Sequence, residues 1–147
     1  MRLITILALS ILLISGLFIS GCELFQGSRY CSDYGAEELT LNKVVDYKYS
    51  DLYCNSEYEF RLSLDSLNDS RCPIGAACVW EGNARVKLHV QQYGKNIVSF
   101  WLNTHNSLLT DTIVNGLHFE FIDLLPYPEV DVDYSLDDYI LQLKISH

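Results

Sequence analysis

The sequence has few basic residues: Lys and Arg number 10 against 19 Asp and Glu, and the formal net charge is −9. Nucleic-acid-binding surfaces need clustered basic residues that neutralise phosphates, so the composition argues against a nucleic-acid partner. Proline is scarce, at three residues, and no low-complexity tract occurs, which excludes collagen-like and linker sequences. The apolar fraction of 49% is too high for a disordered chain. The length of 147 residues therefore predicts one folded domain.

The amino-terminal segment has the pattern of an export signal. Residues 3–19 carry no charge and follow Arg2. The run ends in Ile19-Ser20-Gly21-Cys22, which resembles the lipobox of bacterial lipoproteins. In that family the cysteine thiol receives a diacylglycerol, with acyl chains such as palmitate, and the chain is cut before the cysteine. We therefore expect a cleaved lipoprotein signal peptide at 1–21 and lipidation of Cys22; a plain cleaved signal peptide and an uncleaved membrane anchor are the alternatives.

This interpretation predicts the organisation of the chain and its location. Removing residues 1–21 leaves 126 residues with a net charge of −10. We expect a lipid-anchored tether at 22–38 and a folded domain at 39–147. The protein would lie in the bacterial cell envelope, bound to the membrane through its amino-terminal lipid. In a Gram-negative host, Glu23 after the lipidated cysteine favours the outer membrane, since inner-membrane retention uses Asp at that position.

The cysteines number five, and assigning Cys22 to lipid leaves an even set of four. An exported chain meets an oxidising compartment, where such a set is typical of disulfides. Four cysteines allow three pairings. The short loop with Pro and Gly between Cys72 and Cys78 favours closure of that pair, which leaves Cys31 with Cys54. Metal binding is the alternative, but the close CxxC pairs or nearby histidines that it needs are missing, so we expect no metal and no cofactor.

Most of the chain after the signal alternates between apolar and polar residues, which is typical of half-buried antiparallel strands. The clearest alternation covers 58–64, 84–91 and 139–145. A further set at 117–121 is interrupted at Ile122-Asp123, where we expect a bulge. Additional candidate strands are 39–49 and 97–102, and 92–96 reads as a hairpin turn. The pattern predicts a single all-β domain of six or seven antiparallel strands, as a β-sandwich or a barrel-like sheet.

One segment resembles a motif of small exported bacterial proteins and lipoproteins. Residues 69–73 read D-S-R-C-P, and residues 78–84 read C-x-W-x-G-x-A. Residues 125–128 and 139–145 match the L-x-P-x-P and the final tyrosine-started strand that often accompany the motif. The resemblance implies an exported domain with the motif cysteines paired, and it implies no particular activity. The pair Cys31–Cys54 lies outside the motif. It is predicted only because these two cysteines remain when Cys22 is lipidated and Cys72 is bonded to Cys78.

The motif has two interpretations. It can be a structural staple, in which Asp69 and Ser70 bond backbone amides, Arg71 pairs with Asp69, and a large apolar Trp80 lies beside the disulfide. It can instead be a recognition loop that holds Arg71 and Glu81 ready for a partner.

A second candidate binding residue is Trp101. Alternation in 97–102 places Val98, Phe100 and Leu102 inward, which leaves Trp101 on the outer face beside Arg85, Lys87 and His89 if the two strands form a hairpin. An exposed tryptophan there suits stacking on a sugar or anchoring a protein. The alternative is that Trp101 is buried, as tryptophans usually are.

Sequence motifs of the common enzyme classes are missing: G-x-S-x-G, H-E-x-x-H, the P-loop and G-x-G-x-x-G do not occur. No catalytic residue is therefore named. Residues 129–138 contain five acids, but the EF-hand pattern fails, so a solvated acidic loop is favoured over a calcium site. We expect a binding or structural module for an envelope protein or glycan. The alternative is an accessory envelope enzyme, a hydrolase that uses surface carboxylates.

Overall fold

The structure is a computed structural model that describes residues 31–147, so the predicted signal peptide and Cys22 lie outside the described residues. About half of the described chain forms β-strands, and a short 3-10 helix lies at Leu136–Asp138. The strands are β1 (Glu37–Glu38), β2 (Val44–Lys48), β3 (Leu52–Asn55), β4 (Phe60–Asp69), β5 (Ala84–Gln92), β6 (Val98–Asn103), β7 (Asp111–Val114), β8 (Leu117–Leu125) and β9 (Ile140–Ser146).

The nine strands form two sheets. Sheet A has the order β1-β3-β4-β5-β6, and sheet B has the order β2-β9-β8-β7. All neighbours are antiparallel except β1 and β3, which are parallel. The two sheets remain separate and share one core, which confirms the prediction of an all-β, sandwich-like domain in its sandwich form.

The core lies between the sheets because alternate side chains of each strand point inward. Phe119 of sheet B meets Phe60 and Phe100 of sheet A, with ring centroids 6.4 Å and 5.2 Å apart. The inward residues predicted for the central strands are buried: Leu62, Val86, Leu88, Leu141 and Leu143. Period-two alternation therefore located the core strands correctly.

Two finer predictions are confirmed. The register of β8 against β9 shifts between Phe121 and Asp123, so the interruption at Ile122 is a β-bulge. The strands β5 and β6 pair antiparallel across the turn at 92–96, with Lys87 opposite Trp101.

The structure differs from the sequence analysis at the edges of the domain. The short strands β3 and β7 were not predicted, and the candidate strand 39–49 is reduced to β2. Alternation fails in β3, where three consecutive residues are buried under the amino-terminal segment, and in β7, where Ile113 is 70% exposed. The ordered fold also begins before residue 39, because β1 pairs with β3 and Cys31 is bonded to Cys54.

Candidate functional site

A pocket of about 430 Å³ lies where the carboxyl ends of β4 and β6 approach the bulged strand β8. Its walls come from the β4–β5 loop, the β6–β7 loop and the segment that follows the bulge. This volume lies within the usual range for small-ligand sites, roughly 300–1,000 Å³. We call it the end pocket; its lining includes Arg71, Glu81, Gly82, Thr104, His105, Asn106, Phe121, Ile122, Asp123 and Tyr127.

The β4–β5 loop is fixed at its base by backbone hydrogen bonds. The amide of Cys72 donates to the carbonyl of Glu81 at 2.8 Å, and the amide of Ser70 donates to the carbonyl of Asn83 at 2.9 Å. Gly82 lies between them with φ +79°, and a Cβ there would lie 2.1 Å from the Ser70 carbonyl oxygen. Only glycine fits this close approach of two chain segments.

The tip of the same loop is closed by the disulfide between Cys72 and Cys78, whose Cα atoms are 5.9 Å apart. The second disulfide joins Cys31 to Cys54, with Cα atoms 5.6 Å apart. Both pairings are those expected from the spacing and the parity of the cysteines. The first closes a small ring directly beside the end pocket, so the loop that carries Glu81 has little conformational freedom.

Arg71 is a buried wall of the end pocket, with 7% of the residue exposed. Its guanidinium makes a two-point contact with Asp69, at 2.9 Å from Nε and 2.6 Å from Nη2. Nη2 also donates to the carbonyl of Pro126 at 3.0 Å, and Cζ lies 4.5 Å from the ring centre of Tyr127. Nη1 lies 3.7 Å from a carboxylate oxygen of Asp123. Arg71 therefore joins the motif of sheet A to the chain that leaves sheet B.

Glu81 and His105 meet at the mouth of the end pocket. His105 Nε2 lies 3.0 Å from a carboxylate oxygen of Glu81, whose side chain is 74% exposed. The backbone amide of Ser107 donates to Nδ1 of His105 at 3.2 Å. Because an amide can only donate, Nδ1 is an acceptor here and the ring proton lies on Nε2, facing Glu81.

Asn83 is the buried polar group that holds the β6–β7 loop in place. Its Nδ2 donates to Oδ1 of Asn103 at 2.9 Å. Its Oδ1 accepts from the Thr104 hydroxyl at 3.3 Å and from the His105 amide at 3.1 Å. His105 therefore reaches the pocket because a residue of the β4–β5 loop positions its backbone.

The structure brings together two of the three residues singled out from the sequence. Arg71 and Glu81 line one pocket. Trp101 lies elsewhere, on the outer face of sheet A, with 36% of the residue exposed and the guanidinium of Arg85 4.7 Å from a ring centre. Trp80, in the same loop as the Cys72–Cys78 disulfide, is 60% exposed. Its nearest ring partner is His105, at 6.2 Å between centroids.

Sequence reasoning missed the pocket residues His105, Asp123 and Tyr127, and it missed Asn83, which positions His105. Asn83 and Tyr127 lie inside the segments that carry the family resemblance, which was the available signal for them. His105 lies in a loop without periodicity, and the sequence signal next to Asp123 was the predicted bulge at Ile122-Asp123.

The acidic segment 129–138 has its carboxylates at the surface. Asp138 accepts hydrogen bonds from the Ser135 hydroxyl at 2.7 Å and the Ser135 amide at 2.8 Å, which lower the pKa of its carboxyl group. Within residues 31–147, the group of metal-type ligands found close together is Cys31, Glu38 and Cys54. Since both sulfurs are already joined in a disulfide, this group is not a metal site.

No family model matches this chain, and neither a curated protein nor a solved structure is significantly similar to it. Within residues 31–147, no helix has the length and apolar character needed to cross a membrane.

Proposed function

We propose that this protein is a lipid-anchored lipoprotein of the bacterial cell envelope whose β-sandwich is a binding module. The lipobox-like sequence that ends in Cys22 supports the anchor. The two disulfides support it further, because they use four of the five cysteines and leave Cys22 as the odd one. In a Gram-negative host, Glu23 favours the outer membrane.

The observation that carries the binding role is the end pocket, which Arg71 and Glu81 both line within a rigid frame. A disulfide, a glycine that tolerates no side chain and a buried ion pair fix the walls before any ligand arrives, and such preorganisation lowers the entropy cost of binding. Asp69 offsets the charge of Arg71, so Glu81 and Asp123 leave the pocket acidic. An acidic, partly aromatic pocket suits a hydroxyl-rich or amine-bearing group of an envelope glycan or protein.

Cell fractionation tests the anchor. Cys22→Ala should leave the protein in the soluble fraction or unprocessed, whereas Cys31→Ser, which removes a different cysteine, should still partition with membranes. Normal cleavage and membrane partition of Cys22→Ala would show that the anchor lies elsewhere.

Ligand-induced stabilisation of the full-length chain in non-ionic detergent tests the pocket. Chitotriose, an amino-sugar oligomer, and trilysine, an amine-rich peptide, are the two probes. At least one should raise the melting temperature, and Asp123→Asn should abolish the rise. Glu120→Gln is the matched control, because Glu120 lies on the same strand and pairs with Lys144 outside the pocket. An equal loss in the control, or no rise with either probe, contradicts the role of the pocket.

One arrangement favours the enzyme alternative as a second candidate. The end pocket is lined by Glu81, by Asp123 and by His105, whose imidazole contacts Glu81. Two carboxylates and an imidazole would therefore face a molecule bound in the pocket. Such groups suit general acid–base hydrolysis of a glycosidic or ester bond. Turnover of the chitotriose probe by the full-length chain, lost in Glu81→Gln, would favour the hydrolase over the binding module. Stabilisation without turnover would favour the binding module.

A further inference from the structure

The outer face of sheet A differs in charge from the rest of the domain. Residues 31–147 contain eight Lys and Arg and eighteen Asp and Glu. The outward side chains of β4, β5 and β6, which we call the β4–β6 face, include three of those basic residues and one of the acidic ones: Arg61, Arg85, Lys87 and Asp65. A basic surface on a strongly acidic domain points to a role beyond solubility.

The basic residues lie in register across neighbouring strands. Arg85, Lys87 and His89 alternate with the buried residues of β5, so their side chains leave the sheet on one side about 7 Å apart. Lys87 is opposite Trp101 on β6, and His89 is opposite Ser99. The face therefore places two cations and a histidine in a short row beside the exposed ring of Trp101.

Two of the cations are held in place by aromatic rings. The guanidinium carbon of Arg85 lies 4.7 Å from a ring centre of Trp101, and that of Arg61 lies 3.8 Å from the ring centre of Tyr34. Stacking on a ring restricts the conformations of the arginine side chain. Arginines held this way lose little entropy when an anion binds them.

A small depression lies on the same face. It measures about 160 Å³ and is lined in part by Arg61, Ser63, His89 and Gln91. Within residues 31–147, Arg61 Nε has no hydrogen-bond partner and is covered by protein, and His89 Nε2 lies 3.5 Å from Asp65. The basic, hydroxyl and amide side chains of this lining suit an acceptor-bearing, anionic group.

We propose that the β4–β6 face binds an anionic glycan, with Arg85 and Lys87 contacting its acidic groups and Trp101 contacting a sugar ring. Hydroxyl and amide side chains surround the cations, including Ser63, Ser66, Asn68, Gln91, Ser99 and Asn103. These groups suit the hydroxyls of a glycan. A bilayer is disfavoured, because the strands of the face offer only Trp101 as a large exposed aromatic, with Tyr34 stacked on Arg61. The remainder of the domain is acidic and repelled by anionic lipid.

Binding of oligogalacturonate, a polymer of uronic acids, to the full-length chain in non-ionic detergent tests the proposal. Calorimetry at low ionic strength should detect binding that weakens with added salt, and the neutral polymer dextran should not bind. Lys87→Gln should weaken binding about threefold to tenfold. Lys144→Gln, which removes a cation from the outer face of sheet B, should change affinity less than twofold.

Two further measurements distinguish glycan binding from general attraction to anions and from binding to lipid. Arg85→Lys keeps the charge but loses the stacked guanidinium, so it should weaken binding while the melting temperature stays within about 2 °C of the parent. Vesicles of phosphatidylglycerol and phosphatidylethanolamine should not compete with the oligogalacturonate. Equal effects of Lys87→Gln and Lys144→Gln overturn the proposal, as do dextran binding and vesicle binding that depends on Lys87. None of these results depends on the end pocket, which lies on other loops.

Discussion

Replacing Asp69 with Asn should destabilise the domain far more than a comparable change in an exposed ion pair. The carboxylate of Asp69 contacts both Nε and Nη2 of Arg71, and the two side chains are 3% and 5% exposed. Asn keeps the shape of the side chain but removes the negative charge, so the guanidinium remains buried without its main counter-charge. Removing one partner of a buried ion pair costs about 3–5 kcal/mol.

The exposed pair of Lys87 and Asp65 provides the matched control. Its atoms are 3.0 Å apart, close to the distance in the buried pair, but its side chains are 32% and 36% exposed. Water screens both charges, so Asp65→Asn should have little effect on the free energy of unfolding. The two substitutions change the same chemical group. The pairs differ in burial, and Asp69 also makes a two-point contact with its arginine where Asp65 makes a single contact with Lys87.

Urea unfolding of the full-length chain and both variants measures the difference. If the free energy of unfolding lies between about 5 and 15 kcal/mol, Asp69→Asn removes a large part of it and lowers the melting temperature by roughly 10 °C or more. Asp69→Asn combined with Arg71→Met should recover part of the loss, because no charge then remains buried without a partner. A cost for Asp69→Asn equal to that of Asp65→Asn, or a double variant no more stable than the single one, would refute the reasoning.

Three further predictions concern stability. Gly82→Ala should lower the free energy of unfolding by about 3 kcal/mol or more, since the new Cβ would lie 2.1 Å from a carbonyl oxygen. The control is Gly94→Ala, where φ is +70° and the surrounding space is open. It should cost only roughly 1–2 kcal/mol, because the left-handed backbone conformation disfavours alanine. Replacing Cys72 and Cys78 with Ser should cost about 2.4 kcal/mol by loop entropy, and an unchanged urea midpoint would contradict the disulfide's role. Burial raises the pKa of Tyr47, because the buried hydroxyl must stay neutral in the folded state. The unfolded chain ionises this hydroxyl near pH 10, so the free energy of unfolding should be unaffected below about pH 10 and should fall as the pH rises further. Between pH 8 and 11 the urea midpoint should fall less steeply with pH in Tyr47→Phe than in the parent chain. Identical slopes in the two proteins would exclude Tyr47 as a cause of the loss of stability at high pH.

The sequence predicted the parts of the fold that depend on local alternation. The strands β5 and β9 bury every second residue against the other sheet, so period two was visible along them. In β4 the alternation holds from Phe60 to Leu64 and ends where the register against β5 shifts. The sequence did not predict β3, because Tyr53, Cys54 and Asn55 are all buried there. The segment around β1 and Cys31 covers the side of β3 that would otherwise face solvent, and that contact depends on residues far apart in sequence.

The candidate site was only partly predictable for the same physical reason. Arg71 and Glu81 belong to one loop with a distinctive composition, so local sequence was enough to find them. His105 and Asp123 reach the pocket through the β6–β7 loop and the β8 bulge, and neither segment shows by its own sequence which loop it will face. Their arrangement depends on how the two sheets pack against each other and on the hydrogen bonds that Asn83 makes with the β6–β7 loop.

The two interpretations of the 69–84 motif describe different residues of one loop. Asp69, Arg71 and Gly82 are buried and make contacts that the fold requires, so substitutions there should act first on stability. Glu81 has an exposed side chain that contacts His105 at the mouth of the pocket, so its contribution to the fold is small. A substitution of Glu81 that alters ligand affinity without altering the urea midpoint would therefore show that Glu81 acts in binding and not in stabilising the fold. The same separation is unattainable at Arg71, because its guanidinium both lines the pocket and anchors the chain at Pro126.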